Sequence, residues 1–422
     1  MTSIFLSIFL ATTIASSPPE PLPVDNASAP VAVPEPSATA MDYYHSGNLL
    51  WIAGQVLALV IPATVLFTGL STDLRNLARR IGRKWFFVVV IYYMLYGLLV
   101  YVLRFPLAYY SGFVRQHAYG LSNQTFARWL AESLLDLGVG LAFGALVIWF
   151  PYWLMRRSPR RWWLYTALAS LPVMFFVMLV EPVWVAPLYN HFGPMHNTKL
   201  EAQILDLAAQ AGIEDGRVFE VDMSKDTNAV NAYVTGFWNT KRIVLWDTLL
   251  DKLDPPQVRV VMAHEMGHYV LHHVVQGLLV GFGGILVALY LVHRIAGALL
   301  RRFPNGFGFQ EISDIASLPL LVLLVQLLTL IAMPAGLAFS RHIEHEADRF
   351  ALELTHDNHA MATAFVRLQY ENLSNPRPGT LYTLWRASHP SLAQRIEFAN
   401  DYRPWETGKP TRYGGLFRGK GK

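Results

Sequence analysis

The sequence predicts an α-helical multi-pass membrane protein with a small α/β domain inserted between its membrane helices. Of its 422 residues, 53% are hydrophobic and only 15% are charged, which is too apolar for an ordinary soluble chain of this length. Six runs are long and apolar enough to cross about 30 Å of hydrocarbon as helices. A more polar segment with mixed helical and strand patterns separates the fourth run from the fifth.

The N-terminal residues precede the first strong span and carry no basic side chain. Residues 1–16 are apolar and end in small residues near Ala15, which indicates a signal peptide, although the basic region that normally precedes the apolar core is missing. A short uncleaved anchor, which would make a seventh span, is the alternative, and we favour the cleaved signal. Residues 17–48 form a proline-rich linker, with seven prolines between 17 and 40, which predicts disorder there.

The strong spans define the remaining segments of the chain. Membrane helices one to four occupy residues 49–185, an α/β catalytic segment follows at 186–273, helices five and six occupy 274–339, and a C-terminal catalytic segment covers 340–422. The predicted spans are 49–70, 86–103, 137–153, 162–185, 274–292 and 315–339.

Basic residues are distributed unequally between the short loops. Twelve lie in the first, third and fifth loops and three in the second, so the rule that cytoplasmic loops are basic places the first set inside. The segments 186–273 and 340–422 would then lie together outside. The twelve residues are Arg75, Arg79, Arg80, Arg83, Lys84, Arg156, Arg157, Arg160, Arg161, Arg294, Arg301 and Arg302.

The segment 186–273 has the pattern of a small α/β unit. Apolar residues at helical spacing predict a helix at 198–211, and short β-rich runs predict strands at 217–221, 232–238 and 242–246, the last two joined by a turn at 239–241. A further helix at 258–275 would begin near Asp254 and Pro255, a cap residue and a first-turn proline.

This last helix contains the pattern HExxH at residues 264–268. Residues four apart share a helix face, so His264 and His268 can bind one zinc ion while Glu265 takes a proton from a zinc-bound water. The competing interpretation is a helix with surface histidines, since His272 and His273 follow closely.

A catalytic zinc site needs a third protein ligand. The sequence just beyond the sixth span offers Glu344 and Asp348, which are four apart on one helix face, whereas Glu346 points the opposite way. Glu344 is the predicted ligand, and Asp348 could orient a ligand histidine from behind. His342 and His345 are rival ligands.

Taken together, these residues resemble the type I CAAX prenyl proteases, which are integral-membrane zinc metallopeptidases. The resemblance covers most of the chain, and its motifs occur in the family's order. They are the segments Asn231-Ala232-Tyr233, Gly236-Phe237, Lys241 to Leu245, Asp247 to Leu250, His264 to His268, Ser340 to Asp348, and Ser388-His389-Pro390 with Arg395.

The resemblance implies roles for particular residues. It implies that His264, His268 and Glu344 bind one zinc ion per chain and that Glu265 is the catalytic base. It also implies that Asp348 orients a ligand histidine without binding the zinc itself. It further implies that the segment containing Asn231 and Ala232 binds the extended substrate, and that His389 approaches the carbonyl oxygen on which charge develops. The family has seven membrane helices around a hollow chamber, with the site toward the cytosol.

The function predicted from these features is a membrane-embedded zinc-dependent endopeptidase that acts through a Glu-activated zinc-bound water. Its expected partners are a peptide or membrane-protein substrate and the lipid bilayer, with no nucleic acid. One alternative is CAAX-type processing of a lipidated C-terminus. A zinc-stabilised transporter is another, but it would need ionisable residues embedded in the membrane, and few exist, mainly Asp136 and Glu181 near the ends of the spans. The expected location is a bacterial inner membrane, with an extracytoplasmic site by the loop charges.

Overall fold

The computed structural model describes residues 29–214, 216–235 and 242–418. The predicted signal peptide or anchor at 1–16, the first part of the linker, the end of the strand at 232–238 and the turn at 239–241 lie outside these residues.

Within the described residues, six helices are long and apolar enough to cross a membrane, which confirms the six predicted spans. A short amphipathic helix, α2 (Leu70–Gly82), connects the first span to the second, and α4 (Arg115–Ala118) continues the second. The six long helices are α1 (Ala38–Phe67), α3 (Trp85–Tyr109), α5 (Phe126–Arg157), α6 (Trp162–Val180), α10 (His273–Arg302) and α11 (Leu318–Thr355).

Helix α1 begins well before the predicted span, so the structure ends the linker at Ser37 and not at residue 48. The Ser37 hydroxyl caps the helix by accepting a hydrogen bond from the Ala40 N–H at 3.1 Å. The residues just before this cap are held by the C-terminal part of the chain. The Asn400 side chain bonds both the N–H and the carbonyl of Val31, each at 2.9 Å. The described part of the predicted linker before α1, residues 29–37, is therefore held against the catalytic unit, because the backbone groups of Val31 and Pro34 bond the side chains of Asn400 and Gln369.

The α/β segment forms a mixed sheet of four described strands in the order β1-β2-β4-β3. Strands β2 and β4 are parallel and the other neighbours are antiparallel. The three predicted strands are present in their described parts, whereas the three-residue β1 is too short to give a periodic signal. The strands are β1 (Phe192–Pro194), β2 (Arg217–Val221), β3 (Ala232–Thr235) and β4 (Arg242–Trp246).

Helices from both catalytic segments surround this sheet and share one hydrophobic core with it. The predicted helix at 198–211 is present as α7. The helices that contribute to this core include α7 (Thr198–Gln210), α8 (Asp247–Lys252), α9 (Pro255–Val270), α12 (Asn358–Glu371) and α14 (Leu392–Asp401). The short α13 (Thr380–Trp385) has no buried residue and packs against α11. Segments 186–273 and 340–418 thus form one folding unit, although two membrane spans separate them in sequence.

The predicted helix at 258–275 is wrong at its C-terminal end. Helix α9 ends at Val270, and His272 takes a left-handed conformation with φ of 55° before α10 begins at His273. This break turns the chain from the catalytic unit into the membrane. Periodicity did not reveal it because neither glycine nor proline marks the position.

Candidate metal centre

Two long helices bring the predicted metal ligands together. Helix α9 carries His264 and His268 on one face, and α11 extends from the membrane into the catalytic unit to carry Glu344. The helices approach closely at Gly267, where an added Cβ would lie 3.1 Å from Phe350 Cδ1 and 3.3 Å from Ala347 Cα. A Cβ here would be tighter than most such contacts, so glycine suits this approach best, and the HExxH sequence supplies both the donor atoms and the helix contact that aligns them.

The three side chains form a cluster whose potential ligand atoms lie within 4.8 Å of one another. His264 Nε2 lies 3.2 Å from His268 Nε2 and 3.2 Å from Glu344 Oε2, and His268 Nε2 lies 3.5 Å from Glu344 Oε1. His264 and Glu344 are buried. These are the donor types and the spacing of a zinc site with three protein ligands.

The donor atoms are poorly satisfied without a cation. Two imidazole nitrogens lie within 3.2 Å of Glu344 Oε2, yet no described residue gives this buried oxygen a hydrogen bond with normal geometry. A buried carboxylate oxygen without a donor is costly, and so are imidazole nitrogens that face each other. A divalent cation between the three donors would remove both costs, so the residues present fit a metal ion.

Asp348 and Arg395 lie behind the cluster. Asp348 Oδ1 lies 2.8 Å from His264 Nδ1, which directs Nε2 toward the cluster. Arg395 donates to both carboxylate oxygens of Asp348, at 2.8 and 2.6 Å, and its guanidinium lies over the Phe365 ring. Arg395 was predicted only as part of a sequence motif, and its contact with Asp348 joins α14 to α11.

Glu265 and His389 occupy the open side of the cluster. Burial raises the pKa of the Glu265 carboxyl, and the nearby imidazoles oppose this shift. His389 Nε2 lies 3.1 Å from Glu344 Oε2, while its Nδ1 lies 2.8 Å from Ser388 Oγ. Surrounding protein lowers the pKa of His389 to about 4, although half of its side chain is exposed. The imidazole is therefore neutral at physiological pH.

A cavity of about 360 Å³ lies against these residues and is bounded by the edge of the sheet. Its lining includes Asn231, Ala232, His264, Glu265 and His389. Strand β3, which begins at Ala232, is an edge strand of the described sheet, and the Asn231 carbonyl accepts a hydrogen bond from the Trp246 N–H. The predicted substrate residues therefore lie beside the predicted metal ligands.

The two rival ligand histidines lie apart from the cluster. His345 packs its ring against Phe398, with ring centroids 4.4 Å apart, and its Nε2 lies near Arg349. His342 lines a different cavity. Glu346 faces away from the cluster, as its spacing predicted, and pairs with Arg349 and Arg412.

Comparisons with known proteins cover both halves of the chain. Residues 194–403 match peptidase family M48, and residues 30–191 match a family described as the CAAX prenyl protease N-terminal region with five membrane helices. In this chain, residues 30–191 contain four candidate spans and α2.

Individual relatives give the same result. The uncharacterized metalloprotease YhfN of Bacillus subtilis is 36% identical over 369 residues, covering 87% of this chain and 86% of that protein. CAAX prenyl protease 1 of Saccharomyces cerevisiae is 30% identical, covering 70% of this chain and 68% of its own length. The crystal structure of S. mikatae Ste24p is similar with a TM-score of 0.72 and 25% identity, over 80% of this chain and 83% of that one.

The resemblance seen in the sequence motifs is thereby confirmed at the level of family and fold. Because the similarities include both the membrane helices and the unit that holds the metal centre, the chain is a multi-pass membrane metallopeptidase that belongs to peptidase family M48 and, within it, to the CAAX prenyl proteases.

Proposed function

We propose that this protein is a membrane-embedded zinc-dependent endopeptidase with one zinc ion per chain. The observation that carries the proposal is the convergence of His264, His268 and Glu344 beside Glu265, on a cavity bounded by an edge strand. The three side chains are the zinc ligands in this proposal. When bound, zinc supplies Lewis acidity that polarises the scissile carbonyl and lowers the pKa of water to about 7.

Asp348 and Arg395 hold the ligands in position. Asp348 accepts a hydrogen bond from the Nδ1–H of His264, which fixes the tautomer that leaves Nε2 free to bind zinc. Arg395 balances the charge of the buried Asp348 carboxylate through two hydrogen bonds, so that carboxylate does not need a proton of its own. Both act on the metal centre through His264.

Glu265 is the general base and His389 stabilises developing charge. Glu265 accepts a proton from the attacking water and delivers it to the leaving amine, a role for which its raised pKa is suited. Neutral His389 can donate a hydrogen bond from its Nε2–H to the carbonyl oxygen as negative charge develops there.

The substrate would lie in extended form along the edge of the sheet. A strand edge offers backbone donors and acceptors to an extended peptide, and β3 lies at the cavity with Asn231 and Ala232 at its start. Peptide bonds would then approach Glu265 from the β3 side. The substrate class in this proposal is a peptide segment or a membrane protein that presents one.

CAAX-type processing of a lipidated C-terminus is the second candidate. It is favoured by the names of relatives such as the Saccharomyces cerevisiae protein, a CAAX prenyl protease. The two candidates differ in whether the lipid matters. A cleavage rate that rises strongly when the substrate cysteine is prenylated would support the second candidate.

The test is cleavage by purified protein, compared with Glu265→Gln. We expect the wild type to cut membrane-protein or peptide substrates in a zinc-dependent manner and the variant to bind zinc but fail to cut. Proteomic comparison of membranes carrying each form would identify natural substrates as uncut proteins that accumulate with the variant. If the two forms give the same cleavage products, the assignment of Glu265 as the base is wrong.

A further inference from the structure

We propose that the cavity contains a carboxylate-binding subsite, formed by Arg386 with Arg115 behind it, that selects substrates bearing a carboxylate near the scissile bond. This inference rests on the proposed peptidase function, because the subsite lies in the same cavity as the metal centre. It adds a chemical class of substrate, an anionic peptide, to the reaction described above.

Arg386 lies at the wall of the cavity that contains Glu265 and His389. It follows α13 and precedes His389 by three residues, so the two Cα atoms are at most about 11 Å apart. Its Nη1 donates to Asn48 Oδ1, and its guanidinium lies 4.8 Å from the centroid of the Tyr382 ring. Among the described residues, its Nε and Nη2 have no hydrogen-bond partner.

Arg115 is the second cation, and it reaches the same place from the membrane helices. Its side chain is 93% buried, with Nε bonded to Ser46 Oγ at 3.1 Å and Nη2 to the Tyr43 carbonyl at 2.5 Å. A Cβ placed on Gly47 would lie 3.1 Å from Arg115 Nη2 and 3.8 Å from Arg386 Nη2. The two guanidinium groups therefore converge on one residue of α1.

Neither guanidinium has a carboxylate partner within 4.0 Å in the described parts of the chain. Several other arginines of the catalytic unit do have one, as Arg395 has in Asp348, although Arg341 also bonds only backbone carbonyls. Arg115 and Arg386 bond only neutral acceptors, and their like charges repel each other. Burial, with a smaller effect in the same direction from Arg115, lowers the pKa of Arg386.

The rings of Tyr43, 3.7 Å from Arg115, and Tyr382, 4.8 Å from Arg386, offset part of the cost of two neighbouring cations without an acid, and an anionic ligand would supply the missing charge. A carboxylate suits this place because the free Nε and Nη2 of Arg386 form the planar fork that binds carboxylates through two hydrogen bonds. The hydrogen bond to Asn48 and the contact with Tyr382 hold that fork in one orientation.

The position of Arg386 limits the distance between the carboxylate and the bond that is cut. An extended peptide advances about 3.3 Å per residue, so a carboxylate bound at Arg386 would lie within about four residues of a peptide bond beside His389. The carboxylate could belong to the C-terminus of a substrate cut near its end, or to an Asp or Glu side chain of an internal segment.

The test uses short quenched-fluorescent peptide libraries in matched forms. One pair differs only in ending as a free acid or an amide, and the other has Asp or Asn at one internal position. We expect wild-type kcat/KM to favour one acidic form over its neutral partner by about 10- to 100-fold, mainly through KM. The pair that shows the preference identifies the source of the carboxylate.

The same pairs are then measured with Arg386→Gln, Arg386→Lys and Arg403→Gln. Arg386→Gln should bring the acid-to-neutral ratio close to one, and Arg386→Lys should restore part of it because the charge remains without the fork. Arg403→Gln is the matched control, since this arginine pairs with Glu406 and does not line the cavity. An unchanged ratio in Arg386→Gln, or equal rates for both members of both pairs with the wild type, would overturn the proposal.

Binding to the Glu265→Gln protein separates this inference from the proposed function. If the wild type cuts no peptide, the peptidase proposal fails, but the subsite still predicts about 10-fold tighter binding of the acidic peptides to Glu265→Gln. That preference should disappear in the double variant with Arg386→Gln. Equal affinities for acidic and neutral peptides would reject the subsite whatever the cleavage result.

Discussion

The Nε2 atoms of His264 and His268 face each other at 3.2 Å, an arrangement that a cation between them and Glu344 would stabilise. The contact between His264 Nδ1 and Asp348 leaves Nε2 as the free imidazole nitrogen. Zinc binding would therefore depend on a His264 imidazole that carries its proton on Nδ1 and not on Nε2. The Asp348 carboxylate favours this form, and Arg395 balances the charge of that carboxylate.

Zinc content tests the ligand assignment. His264→Ala and Glu344→Ala should lose most of the zinc, because two remaining ligands hold the ion weakly, whereas Glu265→Gln should keep about one zinc per chain. Metal analysis of purified protein after dialysis measures this directly. If Glu344→Ala retained its zinc, that residue would have to be removed from the proposed site.

His389 should affect turnover more than substrate affinity. Replacing it with Ala or Phe removes a donor aimed at developing negative charge, so kcat should fall by about 10² to 10³ with KM little changed. Steady-state kinetics with one peptide separates the two parameters. A rise in KM alone would assign His389 to substrate binding.

At the scale of elements, the decisive contact is the close approach of α9 and α11. Gly267 faces Ala347 and Phe350, which lie just beyond Glu344 along α11. The ligand-bearing helix faces can meet at this distance because Gly267 has no side chain to occupy the space next to Phe350 and Ala347. The break at His272 has a separate effect. It ends α9 before α10 begins, so the two helices do not have to share one axis.

Gly267→Ala should therefore damage the metal centre without touching a ligand. An added Cβ would lie 3.1 to 3.3 Å from Phe350 and Ala347 atoms, and the shift needed to relieve this contact should cost about 1–3 kcal/mol of stability and weaken zinc binding. Thermal unfolding in detergent and zinc titration would measure both effects.

Gly277→Ala is the control for this prediction. Gly277 lies in α10 with no atom within 4 Å of an added Cβ, so the substitution should be neutral or slightly stabilising. If both variants lost stability equally, close helix packing at Gly267 would not be the cause.

At the scale of the whole molecule, the short basic loops gather at one end and the catalytic unit at the other. Arg75 of the first loop pairs with Asp314 of the fifth at 2.7 Å, and Tyr152 of α5 bonds Ser317 at 3.1 Å. At the opposite end, the Asn400 side chain holds Val31. Both described ends of the chain thus lie with the catalytic unit, as an even number of spans requires.

The side of the membrane on which the catalytic unit lies depends on which end of the molecule faces the cytoplasm. The basic loops favour the cytoplasm, so we predict an extracytoplasmic catalytic unit in a bacterial inner membrane, opposite to the orientation that the family resemblance implies. Alkaline phosphatase fused after Lys422 should be active, and a fluorescent protein fused there should be dark. Bright fluorescence with inactive phosphatase would place the catalytic unit in the cytoplasm.

Much of the fold could be predicted because its signals are local. Membrane helices depend on length and apolar composition, and HExxH places His264 and His268 one helical turn apart whatever surrounds them. The predictions that failed concern local ends of elements, such as the break at His272 and the start of α1 at Ala38. At these positions, the boundary of the helix depends on the backbone conformation of one residue or on a contact with a residue distant in sequence.

The sequence by itself determined the membrane class, the two histidine donors and the candidate carboxylates Glu344 and Asp348. Only the tertiary structure decided that Glu344 joins the histidines, that Arg395 supports Asp348, and that Arg386 meets Arg115. The reason is physical. Donor chemistry and helix spacing are properties of neighbouring residues, whereas a metal centre and a charged subsite form only when segments far apart in the chain are packed at fixed distances around one core.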